Sequence, residues 1–256
     1  MTREEAFEIN KQLFLQLNEK FGETRYTNNT LYFEKSFDDL QKKLPEGSFR
    51  GNRQVIKKFA GDFIQNSMQG QCMLNFASAK HPGGGVTYGS IAQEEDICRN
   101  TLLYFYIREY WNSHYRTNAF MGVDYLLSDF IIYSKNVPTV LPDFSLGHTN
   151  DYITSAAPDL RMLSEKTPFD QNELRFTWAY RIKGVLSAAA QNGAKRLVLG
   201  PWGCGVFRND PKFVYWCFDK MLEMFGAAFD EITFLAPDDT SYDIFKEFAA
   251  VGKLHQ

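Results

Sequence analysis

The sequence predicts a three-layer α/β fold with a largely parallel sheet. Short apolar strand patterns alternate with helical patterns over most of the 256 residues, and this alternation is typical of a sheet covered by helices on both faces. Two glycine-rich loops, 83–85 and 200–205, each follow a strand and precede a helix. Since no linker or shift in composition marks a boundary, we expect one domain spanning residues 1–256, with residues 1–50 as an N-terminal appended layer.

The individual elements are predicted from apolar periodicity and from signals at their ends. Thr2 and Glu5 fit a capping box that begins a first helix, which Gly22 ends. Asp210 and Pro211 fit the N-cap and the first position of a later helix. The other predicted helices are 37–44, 62–69, 93–111, 167–192 and 242–251. The predicted strands are 31–33, 54–58, 72–76, 130–134, 151–157, 196–199 and 232–235.

Two of these assignments depend on proline and glycine. The helix 167–192 is predicted to begin with Thr167 as its N-cap and Pro168 at its first position. Residues 136–150 contain two prolines and a glycine and are predicted to form a loop.

The two glycine-rich loops follow strands of the predicted parallel sheet, and ligands of such sheets bind beyond the carboxyl ends of the strands. We therefore expect both loops to line a single cleft.

Composition and charge exclude several classes of function. Lys and Arg number 28 against 31 Asp and Glu, which gives a formal net charge of -3, so bulk binding to a nucleic-acid backbone is not expected. The four cysteines lie far apart without a C-x-x-C pair, which argues against a zinc site and indicates reduced thiols in a cytoplasmic protein. No apolar run approaches membrane-spanning length. We expect a monomer with no membrane partner, no metal and no cofactor.

The first glycine loop lies between a strand that ends in a polar residue and a helix that begins with two acids. Its notable residues are Asn75, Gly83, Gly84 and Gly85, followed after seven intervening residues by Gln93, Glu94 and Glu95. Adjacent helical residues point about 100° apart, so the two carboxylates cannot perform one identical task. One could contact a leaving oxygen while the other holds a substrate hydroxyl, and a general acid would need its pKa raised by partial burial and a nearby anion.

Simpler interpretations of the same residues remain open. Acidic side chains are preferred in the first turn of a helix because of its dipole, which would explain the Glu pair without any reaction. Asn75 at the end of a strand could be a turn former. The position of both acids after three consecutive glycines favours a functional role, because glycine lets a ligand approach the backbone closely.

The second glycine loop has the features of a phosphate-binding site without matching a known nucleotide motif. Gly200, Gly203 and Gly205 lie within six positions, shortly before a helix. No Gly-Lys-Ser/Thr follows, and the third glycine of a dinucleotide fingerprint is missing. A tight strand-to-helix connection is the alternative. We predict that Cys204 packs rather than acts as a nucleophile, because no histidine lies near it in the sequence.

Together these residues resemble the signature of the poly(ADP-ribose) glycohydrolases, most closely the microbial type. The resemblance extends through 133–138, 153–158 and 200–211, and so covers most of residues 50–237. It implies a macrodomain, an α/β/α sandwich with a mixed, largely parallel central sheet and an N-terminal helical extension, whose cleft binds ADP-ribose. It also implies hydrolysis of the ribose-ribose O-glycosidic bond in poly(ADP-ribose), and no metal.

The resemblance also implies a role for each residue of the two loops. Glu95 matches a catalytic acid that protonates the leaving ribose oxygen and then activates water. Glu94 matches a residue that holds ribose hydroxyls at the scissile link, and Asn75 matches one that fixes the distal ribose. The backbone amides expected to hold the diphosphate are those of Gly84, Gly85, Gly203, Cys204, Gly205, Val206 and Phe207. Gly83 and Gln93 complete the expected substrate-binding set, and the Phe207 ring would pack against the ribose.

Two further hypotheses concern the substrate. The chain could hydrolyse a single ADP-ribose attached to protein or DNA, which would use the same cleft but a different leaving group. It could also be a non-catalytic ADP-ribose-binding module. Two carboxylates near a diphosphate would not improve its binding, however, and their presence speaks against this hypothesis. The expected partner is therefore an ADP-ribose polymer or an ADP-ribosylated macromolecule. No motif matches residues 120–125 or 136–150, so the adenine contacts stay unassigned.

Overall fold

The fold is built on a single mixed sheet. A computed structural model describes residues 2–22, 29–33, 35–66, 68–120, 124–163 and 169–252. The strands are β1 Asn29–Phe33, β2 Asn52–Ile56, β3 Cys72–Phe76, β4 Phe130–Val140, β5 Leu146–Ser155, β6 Arg196–Leu199 and β7 Glu231–Leu235. Within the described residues these seven strands lie in the order β1-β4-β5-β3-β6-β7-β2. The neighbours from β5 to β2 run parallel, whereas β4 is antiparallel to both β5 and β1. The predicted largely parallel sheet is confirmed.

Helices cover both faces of the sheet. Their bounds are α1 Arg3–Phe21, α2 Lys35–Gln41, α3 Ala60–Asn66, α4 Gln93–Asn100, α5 Leu103–Ile107, α6 Arg116–Phe120, α7 Gln171–Gln191, α8 Pro211–Phe225 and α9 Asp239–Gly252. One buried apolar cluster joins the sheet to α2, α7, α8 and α9, and a second joins its other face to α1, α3, α4 and α5. The three-layer arrangement predicted from the sequence is therefore confirmed. No described helix is both long and apolar enough to cross a membrane.

The capping residues predicted for the helix starts can be compared with the structure wherever those residues are described. Thr2 and Glu5 form the reciprocal capping box at α1, and Asp210 caps α8 with Pro211 at its first position, as predicted. The start predicted for α7 is wrong. That helix begins at Gln171, because Asp170 accepts hydrogen bonds from the first free backbone N–H groups. Thr167 and Pro168 lie outside the described residues.

The long helix predicted for 93–111 is interrupted. α4 ends at Asn100, and Thr101 adopts an extended conformation with φ -147° and ψ 170°. Thr101 forms an isolated β-bridge with Thr139, and its hydroxyl accepts the N–H of Leu103 at 3.1 Å. Pairing with β4 thus replaces the next helical turn, and the threonine hydroxyl stabilises the break.

The loop predicted for 136–150 is also wrong. This segment is an antiparallel hairpin in which β4 continues to Val140 and β5 begins at Leu146. Pro138 is tolerated because the register shifts on both sides of it, and its carbonyl accepts the N–H of Leu102 at 3.1 Å. A proline at a bulge therefore caused a loop to be predicted for residues that belong to a strand.

Besides the packing of α2 on α7, the N-terminal residues contact the rest of the molecule through β1 and α1. β1 pairs with β4 at the edge of the sheet. α1 packs on the segment between the first glycine loop and α4, where Asn10 donates to the Ser90 carbonyl at 3.4 Å. A Cβ placed on Gly89 would lie 2.5 Å from the Phe7 Cα, so the two backbones touch. The division into one domain with residues 1–50 as an appended layer stays a prediction.

Candidate active site

Both glycine loops line one large cleft at the carboxyl ends of the central strands. The cavity has a volume of about 520 Å³, within the range of small-molecule sites. Its lining includes Gly84, Glu94, Glu95, and the whole loop from Gly203 to Phe207. The prediction that the two loops face a single cleft is confirmed. The parallel strands β3 and β6 lie side by side, and this brings loops more than a hundred residues apart in the chain to the same edge.

Gln93 fixes the first turn of α4 to the end of β3. Its side-chain amide donates to the Leu74 carbonyl at 2.8 Å, and its side-chain oxygen accepts the N–H of Phe76 at 2.9 Å. Both ends of the amide are therefore used by the strand. Gln93 borders the cavity, but its bonds make it a positioning residue for the two carboxylates that follow.

Glu94 is held by three N–H donors in a buried position. Its Oε1 accepts from Asn75 Nδ2 and from the amide of Gly83, both at 3.2 Å, and its Oε2 accepts from the amide of Ser78 at 2.7 Å. Burial raises the pKa of Glu94 to about 8, and the charge of Glu95 acts in the same direction, while the three donors oppose the shift. Burial thus favours the protonated form of Glu94, in which the carboxyl can donate a hydrogen bond.

Glu95 is anchored by only one of its oxygens. Its Oε1 accepts the amide of Gly85 at 2.8 Å. Its Oε2 is buried and has no hydrogen-bond partner among the described residues, although Glu95 borders the cavity. A buried carboxylate oxygen without a partner is costly, and such an atom indicates a missing proton or ligand.

The triple glycine holds carboxylates rather than presenting free amides. The amides of Gly83 and Gly85 donate to Glu94 and Glu95, and that of Gly84 donates to the His81 carbonyl at 2.9 Å. This differs from the prediction that Gly84 and Gly85 offer their amides to a diphosphate, because both donors are already used. What Gly84 provides is space, since a Cβ on it would lie 2.4 Å from Glu95 Oε1.

Asn75 lies beside Glu94 rather than in the lining of the cavity. It is completely buried and does not border the cavity. Its Nδ2 bridges Glu94 Oε1 and Thr154 Oγ1, each at 3.2 Å. Asn75 is thus a positioning residue for Glu94. Ser78 and Thr154, the other two residues of this network, were missed because their contacts depend on the pairing of β3 with β5 and on the loop that follows β3.

The second loop does present free backbone donors. The amides of Gly203, Gly205, Val206 and Phe207 make no hydrogen bond with the described residues. The amide of Cys204 is used differently from the prediction, because it donates to the Pro201 carbonyl at 3.0 Å. Burial raises the pKa of the Cys204 thiol, which makes it a poor nucleophile. The loop fits an anion that accepts several N–H groups.

Two residues that the sequence reasoning did not single out support this loop. Trp202 is buried and donates its indole N–H to the Ser155 carbonyl at 3.2 Å. Asn209 donates to the carbonyls of Pro158 and Gly203 at 2.8 and 3.0 Å. Both are polar-tipped residues between Gly200 and α8, which is a sequence signal, but the acceptors Ser155 and Pro158 lie on β5 and in the chain after it.

Two exposed apolar side chains also border the cavity. Phe59 and Ile91 are 61% and 66% exposed. Among the described residues, no group of three or more His, Cys, Asp or Glu side chains is placed to hold a metal ion.

A comparison with known families identifies the family to which the chain belongs. The family model described as the catalytic domain of microbial-type PARG matches residues 7–141, more than half of the chain. The chain belongs to the microbial-type PARG family. The match includes most of residues 1–50 and the whole first loop with its Glu pair. No match is found among curated proteins.

Solved microbial PARG structures share the fold over nearly the whole chain. The poly(ADP-ribose) glycohydrolase of Thermomonospora curvata bound to the inhibitor ADP-HPD is 27% identical, with a TM-score of 0.77, over 96% of this chain and 99% of that one. The enzyme of Deinococcus radiodurans in complex with ADP-ribose is 31% identical, with a TM-score of 0.76, over 88% of this chain and 96% of that one. The macrodomain-like fold implied by the sequence is confirmed.

The raised pKa of Glu94 predicts a pH-dependent stability of this PARG family member. Folded Glu94 keeps its proton up to about pH 8, whereas the unfolded side chain loses it near its ordinary value of 4.5. The folded state therefore binds more protons between these values, so the free energy of unfolding falls as the pH rises from about 5 to about 8. This group contributes at most about 1.4 kcal/mol per pH unit. The contribution is fully present at lower pH.

Urea unfolding of the wild type and of Glu94→Gln across this range measures the effect. Glutamine keeps a neutral side chain at every pH, so the fall in stability of the variant should be smaller. Glu109→Gln, which changes an exposed acid, should keep the wild-type pH dependence. Parallel curves for the wild type and Glu94→Gln would show that the Glu94 pKa is not raised.

Proposed function

We propose that Glu95 is the general acid and base of the poly(ADP-ribose) glycohydrolase activity that membership of the PARG family assigns to this chain. The observation that carries this assignment is the asymmetry of the two acids. Both oxygens of Glu94 accept backbone or amide N–H groups, whereas Glu95 Oε2 has no partner among the described residues. Proton transfer requires an oxygen that can reach the substrate, and Glu95 Oε2 is the oxygen of the pair that is not already bonded.

The reaction breaks the bond between the anomeric carbon of the terminal ribose and the oxygen of the preceding ribose. Glu95 gives its proton to that leaving oxygen, and the ribose develops oxocarbenium character. Glu95 then takes a proton from water, whose oxygen bonds to the anomeric carbon. Glu94, whose pKa is raised to about 8, donates a hydrogen bond to a ribose hydroxyl at the scissile link.

The diphosphate of the substrate lies on the second loop in this proposal. The amides of Gly203, Gly205, Val206 and Phe207 are free of bonds to the described residues, and the first residue of α8 follows soon after. Backbone donors grouped in this way bind phosphate oxygens. A Cβ at Gly205 would meet nothing within 4 Å, so the loop is open on this side to a ligand. The negative charge of the diphosphate would stabilise the nearby oxocarbenium ion.

In the same cavity, the adenine packs against two exposed apolar side chains. Phe59 and Ile91 border the cavity and expose apolar surface there. A purine ring gains from packing against such side chains, and its burial would explain their exposure in the free protein. No sequence motif marks this subsite, because two isolated apolar residues on separate loops have no spacing to recognise.

The decisive experiment measures release of free ADP-ribose from three substrates. We expect release from poly(ADP-ribose), and little from mono-ADP-ribosylated protein or ADP-ribosylated DNA. Release from the mono-ADP-ribosylated substrates alone would support the second hypothesis. No release from any of them, while ADP-ribose still raises the melting temperature, would leave only a binding module.

Cellular location and oligomeric state are part of the proposal. The four cysteines are free thiols, and Cys72, Cys98 and Cys217 are buried. Such thiols suit a reducing compartment, which supports a cytoplasmic location. The monomer and the absence of bulk nucleic-acid binding stay predictions based on composition and net charge.

A further inference from the structure

A second cavity begins where the catalytic cavity ends. It has a volume of about 360 Å³. Its lining consists of Ser78, Ala79, Lys80, His81, Leu127, Asp159, Arg161, Met162 and Phe207. Ser78 and Phe207 line both cavities, and the Ser78 amide also binds Glu94 Oε2 at 2.7 Å. The second cavity therefore lies directly beyond the carboxylates and the ring expected to hold the terminal ribose.

The charges in this cavity favour an anion. Lys80 and Arg161 are positive, and Asp159 is the only acid in the lining. Arg161 binds Asp159 through Nε and Nη2 at 2.8 and 2.6 Å, while Nη1 makes no hydrogen bond with the described residues. The lining thus has one positive charge in excess, in a protein whose formal net charge is -3. A local excess of positive charge favours an anionic ligand.

Arg161 also has a structural role, because it contacts the ring of Phe207. Its guanidinium lies 5.0 Å from the centre of the Phe207 ring, and the Leu160 amide donates to the Phe207 carbonyl at 3.0 Å. Arg161 therefore positions the ring that lies between the two cavities. Lys80 follows the strand β3 and has no bond through its ammonium group among the described residues.

We propose that the second cavity binds the leaving part of the polymer, with Lys80 and Arg161 facing the diphosphate of the unit next to the scissile bond. The inference rests on the proposed function, because it places the scissile bond at Glu95. The oxygen that Glu95 protonates belongs to a ribose whose own diphosphate is only a few covalent bonds away. A protein side chain linked to a single ADP-ribose has no such group. The cavity therefore favours the polymer over mono-ADP-ribosylated protein.

Lys80→Ala tests this inference with two substrates. One is poly(ADP-ribose), and the other is ADP-ribose linked through its anomeric carbon to a small uncharged aryl alcohol. Loss of a charged contact to phosphate should lower kcat/KM for the polymer about tenfold. The aryl substrate has no phosphate on its leaving side, so its kcat/KM should stay within about twofold. Lys80→Glu should lower the polymer value further, because it reverses the charge.

Lys43→Ala is the matched control, because Lys43 is an exposed lysine outside the lining of both cavities. It should leave both substrates unchanged. The dependence of kcat/KM on salt concentration gives a second measurement. For the polymer, it should be weaker in Lys80→Ala than in the wild type, since one ionic contact has been removed.

Several results would overturn the inference. An equal loss on both substrates would show that Lys80 supports the catalytic cavity, and an unchanged polymer value would remove Lys80 from the leaving side. Cleavage of the aryl substrate by the wild type without any cleavage of the polymer would overturn the inference and leave the role of Glu95 intact. Cleavage of neither substrate would overturn the proposed function itself, and the inference with it.

Discussion

Glu95→Gln should lower the release of ADP-ribose from poly(ADP-ribose) about a thousandfold or more while ADP-ribose still binds. Glutamine keeps an oxygen that can accept the Gly85 amide, which Glu95 Oε1 accepts at 2.8 Å in the wild type. It cannot give or take the proton that the leaving oxygen and the attacking water require. General acid-base catalysis by one group is worth about 10²–10⁴ in rate, and here one group performs both steps. Because the loss falls on the transition state, the affinity for the product should change little.

Initial rates on poly(ADP-ribose) and calorimetric titration with ADP-ribose measure the two quantities. Glu95→Ala should lose turnover as well, and it should also lose the bond to Gly85. The difference between the two variants therefore separates proton transfer from positioning. Glu109→Gln removes an exposed acid outside the cavity and should keep wild-type turnover. Turnover by Glu95→Gln above about a tenth of the wild-type rate would place the acid elsewhere.

The architecture could be predicted because its signals are local. Apolar strands, glycine loops and helix caps each occupy a few consecutive residues, and a parallel sheet brings its loops to one edge. Two of the three wrong element predictions have long-range causes. The helical periodicity continues past Thr101, and only the bridge to Thr139 shows why the helix stops there. The hairpin of β4 and β5 contains Pro138, whose place in a bulge depends on the partner strand.

The position of the site could be predicted from the sequence, but the role of each residue in it could not. The sequence shows that glycines 83–85 have free amides to offer, but it does not show which acceptor each amide meets. The acceptors prove to be the carboxylates of Glu94 and Glu95, which follow about ten residues later, and the carbonyl of His81. Asn75 likewise contacts Glu94 rather than the cavity. The first loop therefore positions the acids, and the free amides of the second loop remain for the diphosphate.

Gly84→Ala should consequently lower turnover about a hundredfold without touching a reacting atom. Gly84 has φ +60°, and a Cβ there would lie 2.4 Å from Glu95 Oε1 and 3.1 Å from Glu94 Oε2. The carboxyl of Glu95 would have to move, and a displacement of about 1 Å of a catalytic group can cost about 10² in rate. The left-handed backbone adds a loss of about 1 kcal/mol in the free energy of unfolding.

Gly193→Ala separates these two effects. Gly193 also has a positive φ, of +80°, but a Cβ there meets nothing within 4 Å. Both variants should lose roughly 1 kcal/mol from the backbone in urea unfolding, and Gly84→Ala should lose more because its Cβ meets Glu95. Only Gly84→Ala should lose turnover on poly(ADP-ribose). Equal turnover in the two variants would mean that the first loop does not set the position of Glu95. Since the bond from Gly85 would then be incidental, the unpartnered oxygen of Glu95 would lose its value as evidence for proton transfer.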